Sequence, residues 1–129
     1  MTVNATRITD VGTVGIPVDD QDRAIAFYRD VLGFEIRMDG TFGPGMRWVE
    51  VAPPGASTSI ALVQARADLP VGIDTGVRLS TQDAAADHAA LGAGGADVDA
   101  EIIPYPVPMF TFRDPDGNLL YVVERSTGA

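Results

Sequence analysis

The sequence of 129 residues has no cysteine, one histidine and no long apolar segment. Without cysteine, disulfides, thiolate nucleophiles and zinc–thiolate sites are excluded. With only His88, a metal site that needs two imidazoles from one chain is excluded as well. No stretch approaches the roughly 20 apolar residues of a membrane span, and the first ten residues lack the basic and apolar regions of a signal peptide. We therefore expect a cytoplasmic protein with no membrane partner.

Positive charge is also scarce. Nine basic residues stand against 18 acidic ones, which gives a net charge of −9, and the basic residues are scattered along the chain. A basic patch that could follow a phosphate backbone is therefore not expected, and nucleic acid is a poor candidate partner. The acidity is typical of a soluble protein, although it would also attract cationic ligands. Composition alone does not separate these two interpretations.

The chain repeats one pattern. Residues 14–20 (VGIPVDD) align with residues 77–83 (VRLSTQD), 63 positions later, which is almost half of the chain. We therefore predict two copies of one unit within a single domain: a first module at 8–64, a linker at 65–74 and a second module at 75–125. A chain of this size can bury a sizeable core without disulfide or metal support.

Each module is predicted to contain one helix and four strands. Asp19 and Asp20 introduce the first helix, where carboxylates cap free amides, and Gly33 ends it. The apolar residues of this helix recur at helical spacing, and the strand-like segments around it alternate between the two faces of a strand. The strands are predicted at 8–18, 34–38, 46–52 and 59–64 in the first module. In the second module we predict strands at 76–81, 98–103, 109–112 and 119–124, and a helix at 83–91.

Three segments carry a resemblance to a known family: residues 14–20, residues 24–34 (AIAFYRDVLGF) and residues 112–118 (FRDPDGN). In this order they resemble the vicinal oxygen chelate superfamily, which includes glyoxalase I, bleomycin-resistance proteins and extradiol dioxygenases. The resemblance implies an α+β fold of two tandem βαβββ modules that form a half-open cup. It also implies a homodimer, because two chains of such proteins usually pair to complete their cups.

The resemblance also shows where metal ligands would lie. Metal-dependent relatives place histidine or glutamate at positions that correspond here to Thr13, Ala61, Gly76 and Tyr121. None of these four side chains is a usual ligand for a transition metal. His88 falls in the middle of the second predicted helix, where we interpret it as a partly exposed helix residue. We therefore predict no metal and no other cofactor.

The cup itself supplies the candidate site residues. Strand alternation and the family arrangement point Thr13, Gly15, Arg78, Ser80 and Tyr121 toward its concave side. Arg78 would orient an anionic ligand or pair with a carboxylate of the protein. Analogy between the two modules favours Arg47 inward and Trp48 in the core, although both remain candidates for ligand contact. Phe42, Tyr105 and Met109 would cover the mouth of the cup.

Glu50 and Tyr121 are the candidate acid–base groups, since either could move a proton if it lay beside an apolar wall. We expect first a protein that binds a small organic molecule in a dimeric cup without a metal. The alternatives are a metal-independent enzyme that uses an acid–base residue in the cup, and a metal-dependent lyase, isomerase or dioxygenase.

Overall fold

The computed structural model describes residues 5–125. It contains two βαβββ modules, as the sequence predicts. The first comprises β1 (Thr13–Val18), α1 (Gln21–Ala26), β2 (Glu35–Thr41), β3 (Arg47–Ala52) and β4 (Ser59–Gln64). The second comprises β5 (Asp74–Thr81), α2 (Ala84–Ala93), β6 (Asp97–Val98), β7 (Met109–Arg113) and β8 (Leu119–Glu124). The α+β class, the eight strands and the two helices are thereby confirmed.

Both helices begin directly after an aspartate cap, Asp20 as predicted for the first helix and Asp83, which was predicted to be the first residue of the second helix. The Asp20 carboxylate accepts a hydrogen bond from the Arg23 amide, and the Asp83 carboxylate accepts one from the Ala86 amide. These bonds satisfy amides that have no partner within the helix. The first helix continues beyond α1 as a wider π-helical turn, Phe27–Val31, and Gly33 follows it with a φ of +77°. A positive φ is strained for any side chain except glycine, so Gly33 is well suited to end this helix.

Several predicted strand boundaries were wrong. Residues 8–12 precede β1 without belonging to it, and β2 continues through residues 39–41, which we expected to form a turn. The strand predicted at 98–103 is only two residues long, and the chain from 99 to 108 rejoins the sheet through a single bridge between Ile103 and Met109. Three prolines lie in this segment, and proline cannot donate to a ladder.

The two modules form separate four-stranded sheets of the same topology. The strand order is β1–β4–β3–β2 in the first sheet and β5–β8–β7–β6 in the second. In each sheet the first strand runs parallel to the last strand of its module. Side chains alternate along these strands, so each sheet has one face toward the helices and one outer face away from them.

One hydrophobic core joins the two modules. It combines the helix-side residues of both sheets with both helices, and the Phe27 ring of the first module lies 6.3 Å from the Phe112 ring of the second. Ile16, Leu62, Leu120 and Val122 belong to the same cluster. Because the two helix-side faces share this core, the two outer faces point away from it. Among residues 5–125, no helix is long and apolar enough to cross a membrane.

The turn between β7 and β8 holds the modules in place through the buried side chains of Asp114 and Asn118. The Asn118 side chain is fully buried, and its Nδ2 donates to the Pro17 carbonyl of β1 at 2.7 Å and to Asp114 at 3.0 Å. Its Oδ1 accepts from the amides of Gly72 and Ile73 at 2.9 and 3.2 Å. One amide group therefore satisfies backbone groups from the first module and from the linker at once.

Two further contacts extend this turn to the first helix. The Tyr28 hydroxyl donates to Asp114 Oδ2 at 2.9 Å, and burial together with the Asp114 charge raises the pKa of Tyr28 well above its ordinary value. The phenol therefore remains a donor. Arg23 pairs with Asp116 at 2.7 Å, with the Asp116 side chain buried and half of the Arg23 side chain exposed. We call this set of contacts, centred on residues 114–118, the inter-module clamp.

Replacing Asn118 tests the clamp. We expect Asn118→Ala to lower the free energy of unfolding by about 2–4 kcal/mol, because it leaves several buried polar groups without partners. Gln82→Ala removes an exposed amide side chain and is the matched control, with an expected change within about 0.5 kcal/mol. Urea unfolding followed by circular dichroism measures both. Equal midpoints for the two variants would show that the clamp contributes little to stability.

Candidate functional site

The outer face of the first sheet carries a hydrogen-bonded carboxylate. Glu50 on β3 accepts from Ser59 Oγ at 2.6 Å through one oxygen and from Trp48 Nε1 at 2.7 Å through the other. Ser59 Oγ also lies 3.1 Å from Thr13 Oγ1. Strand pairing explains the contact, because Thr13 of β1 lies directly beside Ser59 of β4. We call Thr13, Trp48, Glu50 and Ser59 the Glu50 cluster.

The direction of these hydrogen bonds follows from the charge. An ionised carboxylate only accepts, so the single Ser59 hydroxyl hydrogen points to Glu50, and the Thr13 hydroxyl must donate to Ser59. Hydrogen bonds from Ser59 and then Trp48 hold the pKa of Glu50 below its ordinary value. Glu50 is therefore an anchored anion and a weak base. Such a group suits the binding of a cation or of a hydrogen-bond donor.

The face assignment of β3 corrects one expectation. We expected Arg47 to point into the cup and Trp48 into the core, but Trp48 shares the outer face with Glu50. Arg47 lies on the helix side with the buried Val49, where its guanidinium pairs with Asp22 and Asp39 at 2.8 and 2.9 Å. The comparison of the two modules was shifted by one residue at this strand, and a shift of one residue reverses every side chain.

The outer face of the second sheet carries a second polar cluster, made of Asp74, Arg78 and Tyr121. The Arg78 guanidinium lies over the Tyr121 ring, 4.4 Å from its centroid, and Arg78 Nη1 donates to the Gly76 carbonyl at 2.7 Å. The Tyr121 hydroxyl donates to Asp74 at 2.7 Å, which raises the pKa of Tyr121 and lowers that of Asp74. We call this set the Arg78 cluster.

Other predicted contact residues take no part in the hydrogen bonds of these clusters. Phe42 and Tyr105 are 66% and 82% exposed, in the β2–β3 turn and in the segment before β7. Met109 is half-buried at the start of β7, and Ser80 is exposed on β5. His88 does not reach either cluster, because its Nε2 lies 2.6 Å from the Asp99 carbonyl and its ring packs edge-on against Phe110. It therefore ties α2 to the segment that follows β6.

Sequence reasoning missed Ser59 and Asp74. Ser59 lies two residues before Ala61 on the same face of β4, so alternation along this strand would have revealed it. Asp74 was assigned to the linker because the fifth strand was predicted to begin at Gly76, two residues late. Both omissions concern carboxylate or hydroxyl groups whose partners lie on another strand.

The residues at the four implied metal positions do not fit a metal ion. The hydroxyls of Thr13 and Tyr121 are hydrogen-bonded to Ser59 and Asp74, and Ala61 and Gly76 have no donor side chain. In the described part of the chain, no three His, Asp or Glu side chains lie close enough together to hold a metal.

Comparison with known proteins gives a consistent family match. Residues 10–122 match the family model of the Glyoxalase/Bleomycin resistance protein/Dioxygenase superfamily. TnmS3, an antibiotic binding protein from Streptomyces sp. CB03234, is 36% identical, with 94% of this chain and 99% of that chain covered and a TM-score of 0.82. A member of the same superfamily from Sphaerobacter thermophilus DSM 20745 is also 36% identical, with 93% and 100% covered and a TM-score of 0.84.

A curated relative is matched over a shorter stretch. The uncharacterized protein YetH of Bacillus subtilis (strain 168) is 42% identical over 55 residues, which are 43% of this chain. The matched region spans 46% of the length of YetH. The match therefore covers less than half of either chain.

The lowered pKa of Glu50 predicts a dependence of stability on pH. A carboxylate with a lower pKa in the folded state stabilises the fold above its unfolded-state pKa, and this contribution is lost as the pH falls through the folded-state value. The difference in unfolding free energy between the native chain and Glu50→Gln should therefore be largest near pH 7 and narrow below its ordinary value of 4.5. Urea unfolding over pH 7 to 3 measures it, with Glu101→Gln, an exposed glutamate, as control. A constant difference would contradict the assignment.

Proposed function

The chain belongs to the Glyoxalase/Bleomycin resistance protein/Dioxygenase superfamily, and on this premise we propose that it binds a small organic molecule in a cup, without a metal. The observation that carries the proposal is the Glu50 cluster. It places an anchored carboxylate beside the half-buried Trp48 ring on an open sheet face. One oriented polar group beside an aromatic surface is typical of small-molecule sites.

The chemistry of the cluster indicates what the ligand presents. Glu50 accepts hydrogen bonds, so the ligand would offer an ammonium or another donor at that point. Trp48, with the partly exposed Met38 on the neighbouring strand, offers apolar contact to a flat ring. The Arg78 cluster would contribute a stacked cation on the opposite wall of the cup. A partly aromatic molecule with a donor group fits this arrangement best.

The comparisons support binding. TnmS3, an antibiotic binding protein, matches this chain over both modules. We infer that an antibiotic or a similar secondary metabolite is the ligand class of this chain as well. The four implied metal positions carry no suitable donor set, so the ligand would be held by protein groups alone.

Catalysis by Glu50 or Tyr121 is the second candidate function. Hydrogen bonds lower the pKa of Glu50, and the bond to Asp74 raises that of Tyr121. Both shifts move the group away from neutral pH, whereas a proton-transfer group works best with a pKa close to the working pH. This argument favours binding. Turnover that is lost on Glu50→Gln or Tyr121→Phe would favour an enzyme instead.

The cup would require two chains. Because both outer faces point away from the shared core, the Glu50 cluster and the Arg78 cluster of one chain do not face each other. We propose that a homodimer places the outer face of the first sheet opposite that of the partner's second sheet. The partly exposed Met38 on β2, which lies beside Glu50, and the exposed Phe42 and Tyr105 near the sheets supply apolar surface for this contact.

Ligand binding is the direct test of function. Thermal shift against a set of antibiotics and aromatic metabolites should yield a compound that raises the melting temperature by mass action. Glu50→Gln and Trp48→Ala should each weaken its binding at least tenfold by calorimetry, and Glu101→Gln, far from the cluster in sequence and exposed, should not. Arg78→Ala should weaken an anionic ligand more than a cationic one.

Binding measured with and without a chelator tests the metal-dependent alternative. We expect the affinity to be the same with and without EDTA, since residues 5–125 contain no group of three His, Asp or Glu side chains that could hold a divalent ion. If the purified protein contained one metal ion per chain and the Glu50→Gln variant did not, the hypothesis of binding without a metal would be wrong. Affinity that is unchanged by both cup variants would overturn the proposed site.

The homodimer has its own test. Light scattering at micromolar concentration should give about twice the 13.6 kDa of one chain. Met38→Asp, which places a charge on the outer face of the first sheet, should shift the population toward monomer, because burying an unpaired charge is costly. Ala67→Asp, at an exposed position in the linker, is the control. A monomer in the native chain would contradict a cup built from two chains.

A further inference from the structure

A cleft of about 260 Å³ lies on the other side of the second sheet from the proposed cup. It is bounded by α2, by β5 and by the end of the first helix. Leu79 and Val122 line it, and they alternate along their strands with Arg78 and Tyr121 of the outer face. The apolar side chains of the cleft therefore lie on the opposite side of the sheet from Arg78 and Tyr121, and Ser80 of β5 also borders the cleft. We call it the α2 cleft.

The walls of the α2 cleft come from both modules and are mostly apolar. The first module contributes Val31, Leu32 and Phe34, and the second contributes Leu79, Leu91 and Phe112. These residues belong to the hydrophobic core or pack against it. The cleft thus opens from the hydrophobic core where the two modules meet, and packed core side chains form its apolar walls.

A difference between the two halves of the repeat explains the free space. The 63-residue offset places Ala90 at the position of Phe27 and Leu91 at that of Tyr28. The Phe27 ring is buried against Tyr28 and Phe112, with centroids 5.5 and 6.3 Å away. At the corresponding place on α2 the side chain is a single methyl group. Ala90 consequently lines an open cleft where its counterpart fills the interior.

One charged group borders this apolar space. Asp87 lies three residues before Ala90 on α2, so that the two share a helix face and both line the cleft. Its side chain is half-buried, and within residues 5–125 its carboxylate makes no hydrogen bond or ion pair. A carboxylate at an apolar wall gains most from a cationic partner.

We propose that the α2 cleft is a second binding site, separate from the cup, for a small aromatic amine. The ring would lie between Leu79, Leu91 and Phe112, and the ammonium would face Asp87. The volume is slightly below the roughly 300–1,000 Å³ of sites for drug-sized ligands. A ligand of one or two fused rings is therefore the expected size. A single oriented charge on an apolar pocket also accords with the usual composition of such sites.

The test uses 1-naphthylmethylamine as the probe, with amide signals of the protein followed by NMR. We expect saturable shifts in α2 and β5. Ala90→Phe restores the aromatic ring found at Phe27 and should weaken binding at least tenfold by filling the cleft. Ala89→Phe makes the same change at the exposed neighbouring position, which does not line the cleft, and should leave the affinity within twofold.

A second comparison tests the charge. Asp87→Asn should reduce the affinity for 1-naphthylmethylamine to about that for neutral 1-methylnaphthalene, while leaving the latter unchanged. This variant keeps the size of the side chain, so it remains informative if Ala90→Phe disturbs the fold. Glu50→Gln should leave the affinity measured from the α2 and β5 signals unchanged for either probe, because Glu50 lies on the outer face of the first sheet. Binding of the amine to the cup would instead be followed through the signals of β3 and β4.

Several outcomes would overturn the proposal. Equal affinity in Ala90→Phe and the native chain would exclude the cleft, as would the absence of saturable binding at millimolar probe. Binding that is lost on Glu50→Gln and kept on Ala90→Phe would place the probe in the cup and support the proposed function alone. A change of oligomeric state in Ala90→Phe, measured by light scattering, would show that the cleft is a contact between chains.

Discussion

The inter-module clamp is the constraint on which the other features depend. Asn118 and Asp114 are buried where the two modules meet, and an unpaired buried polar group costs about 1–3 kcal/mol. The hydrogen bond from Asn118 to the Pro17 carbonyl crosses between the modules and therefore favours one position of the first module relative to the second. Tyr28 and Arg23 add contacts from the first helix to the same turn. Residues 112–118, one of the three segments that carry the family resemblance, thus fix the position of the two modules relative to each other.

The clamp has a consequence for the proposed site. With the modules fixed through their helix sides, the Glu50 cluster and the Arg78 cluster remain on faces that point away from each other. Neither cluster alone encloses a ligand, since each sheet face is open. A second copy of the chain is the simplest way to bring complementary walls together, because a two-fold axis would create two identical cups at once. In the proposed dimer, stability of the single chain and completion of the site would therefore be supplied by different surfaces.

The sequence predicted the fold well because its local signals are strong. The aspartate caps at Asp20 and Asp83, Gly33 and the turn at 114–118 each mark a boundary through their own chemistry. The face of β3 was mispredicted because it depended on a comparison between modules whose turns differ in length. Because side chains alternate between the two faces of a strand, an error of one residue assigns every side chain to the wrong face, as Arg47 and Trp48 show. The hydrogen bond from Ser59 to Glu50 joins two strands, so no local pattern specifies it.

The two modules have the same strand topology, but their helices contribute side chains of different volume to the core. In the first helix, Phe27 and Tyr28 fill the core and reach the clamp, whereas Ala90 and Leu91 in α2 provide much less volume. The second helix is held by other means: alanine has the highest helix propensity, and Glu124 accepts from the Ala84 amide at its start. His88 adds a contact to the Asp99 carbonyl. Because α2 does not need a large side chain at position 90 to stay in place, the space beside it can remain open for a ligand.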